Sequence, residues 1–367
     1  MTCATSSRHH DPAARGRRRR LALGRLAFGG AALVLATGFA GAVQAEDWPS
    51  KPIKIVVNFP PGGAADTIAR AVATPLGEKL GQNVVVENRG GANGNIGGEV
   101  VAKAPNDGYT FLMSSAGVSS INPQLYRKMA FDPAKELTPV AAAARVLVFL
   151  ETRATLPVGN FKEFIAHLKA NPGKLSFGTP GNGSSPHLAA EMLKGMTGTY
   201  AIHVPYRGAA PALTDLLANQ IDFMFDPGPG LQQVRAGKLK LLAIGSMKRT
   251  PLFPDVPTLD ELGLKGFDAD SLFGFYAPAG TSPDVIRRMN AEINAILKSP
   301  AVTKRVADLG GEVAPMTVAQ FADRIKKDAV RFGKLIRERG ITAEKPHGER
   351  TARVTMPAAT ASGLGGE

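Results

Sequence analysis

Between an apolar run, Ile53 to Val57, and a helical pattern carrying Ile68, Val72, Leu76 and Leu80 at four-residue spacing lies Asn58-Phe-Pro-Pro-Gly-Gly-Ala-Ala-Asp66. The spacing predicts a strand, a tight turn and an amphipathic helix in direct succession. The first amides of such a helix have no partner inside it. Together with the positive end of the helix dipole they attract a carboxylate or phosphate, and two glycines let the backbone come close. An ordinary strand-to-helix turn accounts for the same pattern. The pattern disfavours a phosphate loop, since no Gly-Lys-Ser/Thr follows, and the three-glycine dinucleotide spacing is absent.

The amino terminus bears on compartment. Arg17 to Arg20 form a basic cluster, Leu21 to Val43 is largely apolar and small, and Val43-Gln-Ala45 supplies the small residues that precede a cut. Residues 1–45 read as an export signal removed before Glu46, with an uncleaved anchor as the competing reading. The arginine run admits the twin-arginine route as well as the general one. This segment holds seven of the 44 Lys and Arg and one of the 31 Asp and Glu, leaving 37 against 30, a net charge of +7 rather than +13. A modest basic excess with 6% aromatic residues suits an anionic small molecule and not nucleic acid. Cys3 is the sole cysteine and leaves with the signal, so the mature chain has no disulfide and no thiol nucleophile.

Strand-like runs at Val84 to Val86, Thr110 to Ser114, Leu147 to Glu151, Leu175 to Gly178, Ala201 to Pro205, Asp222 to Phe225, Leu239 to Ile244 and Phe273 to Ala277 alternate with helical patterns. The helices include Phe161 to Ala170, Leu188 to Met196 and Ala209 to Ala218. Alternation of this kind predicts α/β layers with largely parallel sheets, and the length predicts two domains. From about Glu344 the chain turns rich in Pro, Gly, Ala and Thr without periodicity, and a disordered tail is expected over 344–367.

A second glycine-bearing loop, Ser176-Phe-Gly-Thr-Pro-Gly-Asn-Gly-Ser-Ser-Pro-His187, again runs from strand to helix, with Thr179, Ser184 and Ser185 adding hydroxyls and Pro186 suited to the first helical turn. Two anion-seeking helix starts suggest a clamp that closes on a carboxylate-bearing metabolite held between two domains.

From Trp48 to about Ile341 the chain resembles the periplasmic solute receptors of tripartite tricarboxylate transporters, the Bug family. The resemblance is carried by Val56-Val-Asn-Phe-Pro-Pro-Gly-Gly-Ala-Ala-Asp66, Val86-Glu-Asn-Arg-Gly-Gly-Ala92, Val101-Ala-Lys-Ala-Pro-Asn-Asp-Gly-Tyr-Thr-Phe-Leu112, Asn171-Pro-Gly-Lys174, Gly181-Asn-Gly183 with His187-Leu-Ala-Ala-Glu191, and His203-Val-Pro-Tyr-Arg-Gly208. Ala236-Gly-Lys-Leu239, Leu252-Phe-Pro-Asp-Val-Pro-Thr258 and Ala277-Pro-Ala-Gly-Thr281 follow in the family's order. Asn58 and Gly90 stand where the family commonly has proline.

The resemblance implies a two-lobed Venus-flytrap α/β fold, each lobe a mostly parallel sheet flanked by helices. Lobe 1 would comprise 46–145 plus 270–343 and lobe 2 146–269, with crossings near Ala144 to Thr152 and Ala269 to Ala277. It implies a ligand carboxylate held, partly through water, by one loop containing Phe59, Gly62, Gly63, Ala64 and Asp66 and another containing Thr179, Gly181, Asn182, Gly183, Ser184 and Ser185, with His187 following. It further implies a monomer, exported to the periplasm, that delivers its cargo to membrane permease subunits without a cofactor.

Other candidates have ordinary structural readings beside the functional one. Asp66 would brace the first helix or touch ligand, and Ser114 and Ser115 would line the cleft or end a strand. Asp226 would meet a protonated ligand group or serve its Pro-Gly turn, and Tyr206 would offer its hydroxyl to the cleft or pack. A serine hydrolase built on Ser184 or Ser185 with His187 lacks the Gly-x-Ser-x-Gly elbow, and His187 and His203 lack a third metal ligand at recognisable spacing. A receptor that reports cargo to a membrane sensor needs the same closed state and stays open on sequence.

Overall fold

The computed structural model describes residues 48–342. The export signal at 1–45 and the tail at 344–367 lie outside them. Among the described residues no helix is long and apolar enough to cross a membrane.

Strand β1 (Ile53–Val57) is buried at four of its five positions, which an alternating strand on an open face would not be. It lies between β2 (Val84–Asn88) and β3 (Thr110–Ser114), parallel to both, so all three deliver their carboxyl ends to one edge. Beyond β3 the sheet turns antiparallel: β10 (Ser271–Pro278) pairs with β3, β4 (Leu137–Val146) with β10, and β11 (Gly311–Val313) with β4. Helix α1 (Ala64–Leu80) buries Ile68, Val72, Leu76 and Leu80 on this sheet, as their spacing predicts, and stops at Gly81 with φ +67°. Two later helices, Pro283–Leu297 and Pro300–Asp308, share its core through Met289, Ile293 and Val306.

The second sheet has five strands. β6 (Ser176–Thr179) runs parallel to β7 (Ile202–Pro205) and β8 (Phe223–Asp226), while β5 (Phe149–Arg153) is antiparallel to both β8 and β9 (Leu239–Ile244). Its core stacks Phe177 on Phe223 at 5.4 Å, with Phe164 edge-on to Phe223 at 5.0 Å. The fold is therefore the two-lobed α/β class expected: in each sheet most strands run one way, with β10 and β11 reversed in the first and β5 in the second. The chain enters the second sheet on β5 and returns to the first on β10, and each of these strands runs against both of its neighbours.

β4 is also the element that composition concealed. Thr-Pro-Val-Ala-Ala-Ala-Ala-Arg contains a proline and an alanine run, both unfavourable in strands, yet Val140 to Ala144 are fully buried. Small side chains suffice there because β10, β11 and the helix Pro283–Leu297 crowd the strand from every side. Tertiary packing overrides propensity.

The chain passes from β4 to β5 through Leu147 and Val148 and returns over residues 245–270. Gly245 N–H donates to Val148 O at 2.8 Å and Ala269 N–H to Gly245 O at 3.0 Å, so the two passages are laced together. A long carboxy-terminal helix, Val318–Arg339, clamps the return: Arg331 Nη1 lies 2.8 Å from Asp268 Oδ2, Arg331 Nη2 3.2 Å from Asp270 Oδ1, and Arg145 on β4 2.8 Å from Asp270 Oδ2. The same helix contributes Phe332 and Ile336 to an apolar cluster with Ile121 and Leu125 of the six-stranded lobe and Leu188 of the five-stranded one. Leu188 is fully buried in that cluster. Leu188→Ala is expected to cost about 2–5 kcal/mol, from lost transfer energy and the cavity left behind, read as a lower denaturation midpoint.

Candidate functional site

The parallel strands of both sheets point their carboxyl ends at the same cleft. After β1 come Phe59 to Ala65, after β3 Ser115, after β6 Pro180 to Pro186, after β7 Gly208 to Ala210 and after β8 Pro227; all of these stretches reach its wall, which Phe273 of β10 completes. Ligand clefts of open α/β sheets form at this edge because the strand ends turn directly into helices there. Three helix starts face it: α1, the helix Ser185–Thr197 (α2) and the helix Ala209–Leu217 (α3). No side chain caps α1 or α3, whose N-cap residues are Gly63 and Gly208. Their leading amides are therefore available to an anion, with the dipoles of helices from opposite lobes aligned on it.

The first loop is held open by its own carboxylate. Asp66 Oδ2 accepts Gly62 N–H at 3.0 Å, and Asp66 Oδ1 accepts Arg70 Nε at 3.0 Å and Asn88 Nδ2 at 2.9 Å, while the same Asn88 amide reaches Phe59 O at 3.0 Å. Burial pulls the Asp66 carboxyl upward, but the bonds from Arg70, Gly62 and Asn88 outweigh it and hold it below the ordinary range. Asp66 thus braces Gly62, whose φ of +83° suits glycine. Beneath the loop Asn58 Nδ2 donates to Ser114 Oγ at 2.9 Å and to Gly94 O at 3.2 Å, and Ser114 Oγ donates to Ser115 O at 2.9 Å. Ser115, one residue on, lines the cleft.

The second loop is built around a neutral imidazole. Ser184 caps α2, accepting His187 N–H at 3.3 Å, and donates its own hydroxyl to Gly181 O at 2.8 Å. Gly183 N–H donates to His187 Nδ1 at 3.1 Å. An acceptor Nδ1 carries no proton, and burial, ahead of the opposing charge of Glu191 and the reinforcing charge of Lys194, pushes the His187 pKa down to about 4. His187 stacks on His203 at 4.4 Å and His203 on Phe177 at 4.9 Å, while His203 Nε2 lies 2.7 Å from Thr179 Oγ1. Thr179, Gly183 and His187 therefore shape the loop from behind. Ser184 is engaged as a cap and His187 Nδ1 by an amide, so these two do not form the serine–imidazole pair that activates a nucleophile.

A model of the tripartite tricarboxylate transporter family receptor matches residues 68–341. The chain belongs to that family. Protein BugT of Bordetella pertussis is 37% identical over 309 residues, 84% of this chain and 95% of that one. Among solved structures, R. palustris Rpa4515 with adipate is 34% identical with a TM-score of 0.79, covering 81% of this chain and 99% of that one. MatC from Rhodopseudomonas palustris with bound malate is 31% identical with a TM-score of 0.74, covering 79% and 100%. The family is one of transporter receptors and not of enzymes, and periplasmic binding protein BugD, 36% identical with a TM-score of 0.77, shares its fold.

In this receptor Phe59, Gly63, Ala64, Ser115, Ser184 and Ser185 meet in the cleft, and Gly181, Asn182 and Tyr206 line a second cavity beside it. Tyr206 turns its hydroxyl away, to Asp215 Oδ2 at 2.6 Å; burial and then that carboxylate push its pKa up to about 12. The third helix start, Gly208-Ala209-Ala210, was not anticipated as part of the site, although glycine ahead of a helical pattern was the same signal as at Gly63. Asp226 turns inward as well. Its Oδ2 accepts Gly228 N–H at 2.7 Å and Gly230 N–H at 2.8 Å, so it ties the turn whose Pro227 reaches the cleft.

Behind that turn Asp226 shares the interior with Glu151, both fully buried, and neither Glu151 oxygen has a hydrogen-bond partner. Burial pushes Asp226 up to about 7 against the pull of the Gly230 and Gly228 amides, and burial followed by the Asp226 charge pushes Glu151 well above the carboxylate range. A carboxyl raised in the folded state stabilises it fully below the unfolded pKa, near 3.8, and loses that contribution as pH rises through about 7. Asp226→Asn retains an acceptor for both amides and removes the proton. The variant's thermal midpoint is expected to gain on the parent steadily from pH 4 to pH 8, and a gap that stays constant with pH would refute the assignment.

Proposed function

We propose that this chain is a periplasmic receptor that binds a small carboxylate-bearing metabolite between its two lobes and delivers it to the membrane subunits of a tripartite transporter. In this reading residues 1–45 direct export, 46–145 with 270–343 and 146–269 form the lobes, and the protein acts as a monomer. The observation that carries it is the meeting of uncapped helix starts from opposite lobes at one cleft. A carboxylate there accepts amide hydrogen bonds from both sides and selects the closed arrangement, since its interaction is stronger when both sets of donors reach it. Family membership supports the transporter partner, and the adipate and malate held by the two solved relatives support the ligand class. Water-bridged contacts suit such a cleft, because they accommodate carboxylates of different length at little cost.

Gly63 is the sharpest test. Its φ is −83°, and a Cβ added there would meet nothing closer than Pro60 O at 3.8 Å, so the backbone accepts a side chain. That side chain would enter the cleft where an anion has to sit. A mature protein spanning 46–343 is expected to show a raised thermal midpoint with one class in a panel of dicarboxylates, tricarboxylates, acidic amino acids and aromatic carboxylates. A ligand at 100 times its dissociation constant stabilises by about 2.7 kcal/mol. Gly63→Val is expected to keep the unliganded midpoint and lose the ligand-induced shift. An undiminished shift in that variant would take the first loop out of the site.

A further inference from the structure

Glu151 and Asp226 lie behind the cleft, at a place where the two lobes touch. On the paired strands β5 and β8 Phe149 stands opposite Asp226, so Glu151, two residues on, is the diagonal neighbour of Asp226 on the same face of the sheet. The turn Pro227–Gly230 folds over that face. Its Gly228 and Gly230 amides both donate to Asp226 Oδ2. A Cβ on Gly230 would fall on Glu151 Oε2, so the Glu151 carboxyl packs directly against the backbone of the turn. At the other end of the turn a Cβ on Gly228 would fall on Leu309 O, and one on Gly310 would fall on the Phe149 ring. Leu309 and Gly310 belong to the six-stranded lobe, between the helix Pro300–Asp308 and β11. The turn is thus gripped between the carboxyl pair of one lobe and the backbone of the other, and its Pro227 reaches the cleft wall.

The pair has no counter-charge. Both side chains are fully buried, and both Glu151 oxygens and Asp226 Oδ1 lack a hydrogen-bond partner. Among the described residues neither carboxyl forms an ion pair, because the charged groups on the surrounding elements are turned elsewhere. Asp215 of α3 takes the Tyr206 hydroxyl, Arg235 lies over the Phe253 ring at 5.4 Å, and Lys240 of β9 donates to Leu156 O and Val158 O. Arg153 pairs with Asp222, Asp308 with Lys304 and Glu312 with Arg145, while Lys238 and Asp255 are exposed. His187 sits on α2, which packs through Ala189 and Ala190 in the core of Phe223 and Phe225, on the opposite face of β8. Two unpaired negative charges in such an interior cost far more than one.

We propose that Glu151 and Asp226 share one proton, and that this proton latches the Pro227–Gly230 turn between the two lobes. With the proton in place the pair carries a single negative charge, which the Gly228 and Gly230 amides hold. Its loss sets a second charge against the Gly230 backbone, with no partner in reach. Water relieves that charge only if the turn lifts, which takes Gly228 off Leu309 and shifts Pro227 at the cleft wall. In water the carboxyls regain their ordinary acidity, so lifting the turn releases the proton and the latch weakens as pH rises. The rise of the Asp226 pKa to about 7 through burial places this change near neutrality. The latch does not depend on the receptor function proposed above; in that reading it makes the grip on cargo firmest on the acidic side of neutrality.

Amide hydrogen exchange on the unliganded mature protein tests the latch, with protection taken against the unstructured rate at each pH. Protection of the Gly228 and Gly230 amides is expected to fall about tenfold between pH 6 and pH 8, as the shared proton is lost, and to level off above. At pH 8 it is expected to lie below that of Ile55 and Val57 in the core of β1, because the turn opens by itself. Glu151→Gln and Asp226→Asn each remove the shared proton, and either is expected to hold turn protection constant over the same range. Turn protection independent of pH in the parent, or a fall that persists in both variants, would overturn the proposal. So would protection equal to that of β1 at every pH, since the turn would then yield only with the whole fold. No arm uses a ligand, so failure here leaves the receptor reading standing, and failure of the carboxylate panel leaves the latch standing.

Discussion

A helix start cannot satisfy its own first amides, and the architecture follows from where those amides are left. Parallel strands that end together turn into helices that begin together, so β1, β6 and β7 bring α1, α2 and α3 to one cleft from two sheets. Side chains then serve the backbone. Asp66 and Asn88 hold the first loop, Ser184 and His187 the second, and Asp226 the turn beside them. These groups spend their hydrogen bonds on the loops and on one another, which leaves the main chain at the helix starts as the polar surface of the cleft.

This division of labour explains what could be read in advance. Both loops were legible because glycine and proline between an apolar run and a helical period have few other uses, and α1 fell on its four-residue spacing. The residue roles were less legible. Thr179, His187, Asp226 and Tyr206 carry groups that could serve a ligand, and a linear pattern does not say which way a side chain turns; three of them face partners that are contacts across the fold, His203, Glu151 and Asp215. Gly91 to Gly94 and Arg207 come together only because β2 and β7 end on opposite sides of the same gap. β4 escaped notice for a different reason, since alanine has little strand preference and is tolerated there by crowding alone.

Three titratable groups near the cleft, His187, Glu151 and Asp226, are driven toward their neutral forms by their surroundings. His187 is unprotonated, since an amide occupies the nitrogen a proton would need, and Glu151 and Asp226 are driven toward their protonated forms by burial. Asp66 keeps its charge, but Arg70 pairs with it at 3.0 Å. Charge close to the donors is thereby held low, and the partial charges of the helix starts act without opposition.

The apolar cluster of Ile121, Leu125, Leu188, Phe332 and Ile336 spans both lobes, and its consequence is thermal. Separating the lobes would bring these side chains into water, and hydrating apolar surface raises heat capacity. If the proposed closure separates and rejoins these side chains, its balance would vary with temperature along a curve and not a line, the closed form losing part of its advantage on cooling as the hydrophobic contribution weakens.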